Sequence, residues 1–347
     1  MRPVTTPRWT RAELARVRGE LERRPAYRNY VNVRDKVLQM NELGAGTSAA
    51  EPSAYWREEL SMFEYMLDAS PFVIENLRHH THFLTGLRAY DYRSNRESFR
   101  QRMEEKLRAL LKRGGELQPV PESPELGGFG FDIDGALYNV DTLKYFEVLQ
   151  ALKQGAVLDE FQSRERRLVW EIGAGWGGFA YQFKTLCPNT TYVITDFPEL
   201  FLFSATYLTT LFPQARVLFY GDVPDSELFS RWSEYDFILL PNGSLSDMRP
   251  PRLDLAINMV SFQEMTSEQV RAYVTKAFEL ECPFLYSLNR DRSAYNLELT
   301  SVRDIITEYY WPHEISILPV SYQKMLDEPP SDKDYRHVIG WRKVQPQ

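Results

Sequence analysis

The sequence predicts an α/β chain: a Rossmann-like, mostly parallel sheet preceded by an α-helical N-terminal region. Three observations lead there. Apolar stripes at helical spacing, with capping signals, fill the first third. From residue 167 onward short apolar runs alternate with helical stretches. A glycine-rich segment, Gly173-Ala174-Gly175-Trp176-Gly177-Gly178, sits where the first of those runs meets a helix.

The chain has 347 residues and is 43% hydrophobic and 26% charged, enough for one large domain or two ordinary ones and too apolar for a disordered chain. No stretch approaches the ~20 apolar residues that span a bilayer. The opening MRPVTTPRWTRAEL lacks the apolar core of a secretion signal. Two cysteines, Cys187 and Cys282, exclude a disulfide framework and suit a reducing cytoplasm. A net charge of −7 argues against nucleic acid as partner. That charge is uneven: residues 1–130 carry 21 Lys and Arg against 18 Asp and Glu, and the remainder carries 20 against 30.

Residues 1–115 read as helices for packing, dimerisation or covering an acceptor site. Thr10 with Glu13 is a capping-box start, followed by Leu14, Val17 and Leu21 on one face. Trp56, Leu60, Phe63 and Leu67 repeat that spacing. Ser94 with Glu97 is a second start, and Gly114-Gly115 a stop. His79, His80 and His82 lie together on a helical segment, but without cysteines or acids in phase no metal site is expected. Residues 116–140, rich in Pro and Gly and interleaved with Phe129, Phe131 and Tyr138, read as a lid or linker. Asp141 is placed as the cap of the helix that opens the third region, 141–347.

In that region the apolar runs are Leu168–Ile172, Tyr192–Thr195, Arg216–Tyr220, Tyr235–Leu240, Leu253–Val260, Phe284–Leu288, Ile315–Val320 and Val338–Val344. A seven-stranded sheet is expected, its last two runs an antiparallel pair at the edge, since no crossover helix fits between them.

The glycine segment is ambiguous alone. Gly173, Gly175 and Gly178 satisfy a dinucleotide fingerprint, and the same loop fits the E-x-G-x-G-x-G turn of enzymes that use S-adenosylmethionine (SAM). A P-loop is excluded because no Lys-Ser or Lys-Thr follows. SAM is favoured by acids at three successive strand ends. Glu171 would repel a pyrophosphate but not an ammonium. Asp196 can accept two ribose hydroxyls. Asp222 can accept the adenine amino group. Gly177 completes the turn, Asn258 ends a neighbouring strand, and Trp176 and Phe197 offer rings to the adenine or the sulfonium.

The stretches ESPELGGFGFDIDGALYNVDTLKYFE, EIGAGWGGFA, TDFPEL, LDLAINMVSFQEM and FLYSLNR resemble sugar O-methyltransferases of bacterial natural-product and surface-glycan biosynthesis. The resemblance spans residues ~120–295. It implies a class I SAM-dependent methyltransferase fold, S-adenosylhomocysteine as product, and a small-molecule sugar or glycoside as acceptor. Phenol methyltransferases share the order of elements, but their histidine base is missing from Asn258–Met265.

Glu264 is the first candidate for a base, just past the end of an inner strand, where Phe262 and Met265 would raise its pKa. His337, before the last strand, and Asp247 are the others. Tyr138, Asn139, Thr142 and Gln263 are candidates for the acceptor site, and Arg290 and Arg292 for gripping a charged acceptor. Two further functions stay open: methylation of a phenolic or polyketide oxygen, a nitrogen or a carbon, and SAM binding without turnover.

Overall fold

The computed structural model describes residues 9–43, 51–291, 296, 298–299 and 301–344. Arg292 therefore lies outside the described residues. The N-terminal region forms α1 (Arg11–Glu22), α2 (Pro25–Leu43), α3 (Ala54–Ser61), three single turns α4 (Pro71–Ile74), α5 (Leu77–His80) and α6 (His82–Thr85), and α7 (Glu97–Gly114). The Thr10–Glu13 capping box is present, with the Thr10 side chain accepting from the Glu13 amide. The second expected box is not: Arg96, not Ser94, precedes α7 and no side chain caps it. The stripe from Trp56 to Leu67 is broken, because α3 ends at Ser61 and a 3-10 turn, Glu64–Asp68, follows.

One hydrophobic core runs through this region and the rest of the chain. Tyr30, Val33, Val37 and Met40 on α2 are fully buried in the same cluster as Phe201 and Phe203. Burying four such side chains contributes on the order of 1.5–3 kcal/mol each.

Residues 131–138 form a hairpin of β1 (Phe131–Ile133) and β2 (Ala136–Tyr138). Its two-residue turn needs two positive φ angles, which Asp134 (55°) and Gly135 (86°) supply. The next helix, α8 (Val140–Gln154), is capped by Asn139 rather than Asp141: Asn139 Oδ1 accepts from the Thr142 amide at 2.9 Å, and Thr142 Oγ1 accepts from the Asn139 amide at 2.8 Å. From Asp141 to Leu152 every residue of α8 is buried, so it is a core helix.

The main sheet comprises β3 (Arg167–Ile172), β4 (Thr190–Asp196), β5 (Val217–Phe219), β6 (Phe237–Pro241), β7 (Leu255–Met259), β8 (Phe284–Asn289), β9 (Tyr310–Ile315) and β10 (Arg336–Arg342), in spatial order β5-β6-β4-β3-β7-β8-β10-β9. It thus has eight strands among the described residues, not seven. The strands from β3 to β8 run parallel, and β10 is antiparallel to both β8 and β9. The expected antiparallel pair is present, but its first strand lies earlier than the Ile315–Val320 run. Pro312, which cannot donate a ladder hydrogen bond, is tolerated because β9 is the edge. Helices α9 (Gly178–Leu186) and α10 (Phe201–Leu211) cover one face with α8, whereas α11 (Ser267–Glu279) and α12 (Val302–Tyr309) cover the other.

Candidate active site

At the carboxyl ends of the central strands the chain leaves β3 and turns sharply at Gly173, with φ of 73°. A Cβ there would stand 2.3 Å from Ser261 Oγ, so only glycine fits. At Gly175, φ is 58° and a Cβ would meet nothing within 4 Å, so the bare backbone faces open space. That space is a cleft that adjoins a second, smaller one; Gly173, Asp196, Phe197, Met265 and Trp56 line both.

Two buried carboxyls flank the turn. Glu171, 1% exposed, accepts a hydrogen bond from the Tyr192 hydroxyl at 2.9 Å, and burial pushes its pKa up to about 8. Asp196 accepts from the amides of Gly175 and Phe197, both at 2.9 Å. Those amides favour the charged form, yet burial dominates and lifts it to about 7. Beside Glu171 the cleft is lined by Lys144, whose ammonium donates to Asp141 at 2.9 Å. An acid and an ammonium on one wall form the complement of an amino-acid zwitterion. With the open Gly175 backbone and a carboxylate at the end of β4, they fit the methionine and ribose parts of SAM.

Glu264 faces the same cleft and is half-buried, with burial first and Glu59 after it raising its pKa to about 8. Of the sequence candidates, Glu171, Gly173, Gly175, Trp176, Asp196, Phe197 and Glu264 are thus brought together. Trp176 is also held from behind, its ring lying 3.5 Å from the Arg78 guanidinium carbon.

The remaining candidates stand elsewhere. Gly177 is the N-cap of α9, its φ of 82° turning the chain into the helix against Ser204. Asn258 is buried under the loop: its amide donates to the Ile172 carbonyl at 2.9 Å and its oxygen accepts from the Phe262 amide at 3.0 Å. Asp222 is paired with Lys36 and accepts from the Phe219 amide, away from the cleft. The reason is topological. β6 slots between β4 and β5, so β5 becomes the edge and the third strand end at the cleft carries Asn242.

His337 is buried between sheet and α8, its ring bonded to Tyr286 Oη at 2.6 Å and 3.5 Å from Glu147, a partner it shares with Lys106. Asp247 accepts from Tyr220 Oη at 3.2 Å in a separate surface hollow with Asp225 and Arg249. Neither lines the cleft. Asn139 and Thr142 are used up by the α8 cap, Asn139 also donating to Glu122 at 3.0 Å, and Tyr138 lies in the hairpin. Gln263 donates to Tyr335 Oη at 3.0 Å and accepts from the Arg290 amide at 3.1 Å. Arg290 stacks 4.4 Å over Tyr335 and donates to Gln323. These two support the loop of Glu264 from behind.

Sequence reasoning missed Trp56, Leu84 and Thr85 from the N-terminal region, Lys144 and Tyr145 on α8, and Tyr322 after β9, all on the cleft wall. Only Lys144 carried a signal, as a cation within an apolar helical stretch. Among the described residues no three His, Cys, Asp or Glu side chains are placed to hold a metal ion, and no helix is long and apolar enough to cross a membrane. His80, bonded to Tyr65 Oη, and His79, against Phe129, have packing partners.

No family model and no curated protein matches the chain. Similar solved structures include the N-methyltransferase NodS from Bradyrhizobium japonicum WM9 in complex with S-adenosyl-L-homocysteine, at 13% identity over 70% of this chain and 99% of that one, with a TM-score of 0.37. Human N-acetylserotonin methyltransferase in complex with SAM is 12% identical over 59% of this chain and 55% of its own, at 0.33. WbdD, co-crystallised with the kinase inhibitor LY294002, is 12% identical over 55% of this chain and 40% of its own, at 0.39. The chain builds the Rossmann-like sheet anticipated from the sequence, with one extra strand and a cleft of apolar walls carrying a few charged side chains at its switch point.

Proposed function

We propose that this chain is a SAM-dependent O-methyltransferase acting on a hydroxyl of a sugar or glycoside. The observation that carries the donor assignment is the pair Glu171 and Asp196, desolvated carboxyls on either side of a bare glycine turn. Ionised Glu171 beside the turn would repel a phosphate-bearing cofactor, whereas a cationic donor relieves its burial; Asp196 suits a ribose in either kind of cofactor. SAM bound there supplies an electrophilic methyl group. Glu171 and Lys144 hold the charged amino-acid end, and Asp196 accepts the ribose hydroxyls. The neighbouring strand end at Asn242 faces the smaller chamber, which suits the base.

Glu264 takes the proton from the acceptor oxygen. Its carboxyl is held in the cleft by a loop fixed through Asn258, Gln263 and Asn289, and its raised pKa makes it a better base than an exposed glutamate. Trp56, Tyr145 and Tyr322 line the same chamber and exclude water from the reacting oxygen. Their flat apolar faces suit the C–H face of a sugar ring, and the sequence stretches that resemble sugar methyltransferases favour that acceptor. The same rings also favour a planar phenolic acceptor, which is the second reading.

Incubation with labelled SAM and a panel of glycosides and phenols, followed by mass spectrometry and by NMR location of the methyl group, tests the proposal. Methyl transfer to a sugar oxygen supports it. Transfer only to phenols, nitrogen or carbon refutes the acceptor assignment.

A further inference from the structure

Residues 51–56 lie across the cleft from the sheet and are fastened to it by specific contacts. Ser53 Oγ donates to the Glu264 carbonyl at 2.9 Å. Gln269 Nε2 donates to the Glu51 carbonyl at 2.9 Å. The Trp56 ring lies 5.5 Å from the Phe197 ring. Ser53 is also the N-cap of α3, accepting from the Trp56 amide, so one hydroxyl sets both the start of that helix and its distance from the Glu264 loop.

Trp56 stands where the two chambers meet. On one side are Glu171, Lys144, Tyr145 and Glu264; on the other are Thr195, Asn242, Gln269 and Tyr273. Asp196, the residue assigned to the ribose, lies at the junction and lines both. A nucleoside placed with its ribose on Asp196 and its base toward Asn242 therefore runs along the wall that the indole and Phe197 form together.

From this geometry we infer that Trp56 is a donor-binding residue: it roofs the nucleoside, so the segment 51–61 belongs to the donor site although it lies far outside the glycine-loop unit. The inference rests on the SAM assignment above. An aromatic ring over a nucleobase gains stacking energy whatever the base edge presents. The consequence is linkage: a nucleoside that binds better with the roof in place holds the roof in place to the same degree. Because Ser53 joins the roof to the Glu264 loop, donor binding also fixes the carbonyl of the residue assigned as base.

Calorimetric titration with S-adenosylhomocysteine, on the parent chain and on Trp56→Ala and Trp56→Phe, is combined with amide hydrogen exchange over 51–61. The inference predicts slower exchange in that peptide when the ligand is added to the parent. It predicts a dissociation constant raised about tenfold or more in Trp56→Ala and restored to within about threefold of the parent in Trp56→Phe. Equal affinities in the parent and Trp56→Ala, with exchange over 51–61 unchanged by ligand, overturn it while leaving the donor assignment standing. A parent chain that takes up no S-adenosylhomocysteine overturns both.

Discussion

The Arg78 guanidinium carbon lies over the Trp176 indole, 3.5 Å from the ring centroid, and Arg78 Nε donates to Glu122 at 2.6 Å. The N-terminal helices thus reach under the glycine turn. Arg78 and Glu122 are almost fully buried, and Asp141 stands 3.6 Å from the same guanidinium while accepting from Lys144. One buried network therefore ties α5, the proline-rich segment, α8 and the cleft lysine to the turn.

Removing the cation from that network leaves two carboxyls buried with too little counter-charge. Arg78→Met is expected to destabilise the fold by about 3–5 kcal/mol, the usual cost of breaking a buried pair from one side. Chemical denaturation at neutral pH measures it. A loss below about 1 kcal/mol, the level of an exposed pair, contradicts the reading.

Glu264→Gln keeps the shape of the side chain and removes its basicity. Turnover is expected to fall by ~10²–10⁴-fold, with donor affinity little changed. With burial lifting the Glu264 pKa to about 8, the parent rate should rise with pH up to that region and then level, since only the ionised form accepts a proton. A pH–rate profile that is flat from 6 to 9 contradicts this assignment.

Glu171 has a folded pKa near 8 against an ordinary 4.5. The folded protein therefore keeps a proton that the unfolded chain releases, and this residue costs stability as pH rises from about 4.5 through about 8. Glu171→Gln should raise the thermal midpoint of the ligand-free protein at pH 8 and leave it nearly unchanged at pH 4.5. The same variant should weaken S-adenosylhomocysteine binding at least about tenfold, the scale of a lost charged hydrogen bond. Scanning calorimetry at both pH values, with and without ligand, separates the two effects.

The insertion of β6 moves the third strand end from Asp222 to Asn242. Asp222→Asn should leave the dissociation constant of S-adenosylhomocysteine within about twofold, because its hydrogen-bonding shape is kept and it pairs with Lys36 outside the cleft. Asn242→Ala should raise that constant about fivefold or more, the size of one neutral hydrogen bond. Titration of both variants decides; the reverse ranking contradicts the strand order's consequence for the base.

Much of this arrangement was legible in the sequence because local patterns carry it. Short, near-continuous apolar runs alternating with helical stretches placed the parallel strands and their helices, and the run from Glu171 to Gly178 marked the turn. Glu264 stands out in the sequence because a strand end is where such sheets place ligands, and it lines the cleft. Asp222 misled because spatial strand order is not written locally: whether Phe237–Pro241 pairs beside β4 or beyond β5 depends on packing across the sheet. Asn139 and Thr142 were read as acceptor ligands when their polarity serves the α8 cap, a use that the same residue types fulfil at any helix start. Trp56, Leu84 and Tyr322 come from distant segments that fold back over the cleft, and such convergence leaves no trace in spacing.

The claim on which the rest depends is that the turn at 173–178 between Glu171 and Asp196 holds a cationic sulfonium nucleoside. Isothermal titration of the parent chain with SAM, S-adenosylhomocysteine and NADH tests it most directly. The account predicts saturable one-site binding of SAM and its product, strengthened as pH rises from 6 to 8 and both carboxyls ionise. Tight binding of NADH with no heat from SAM or S-adenosylhomocysteine would contradict it.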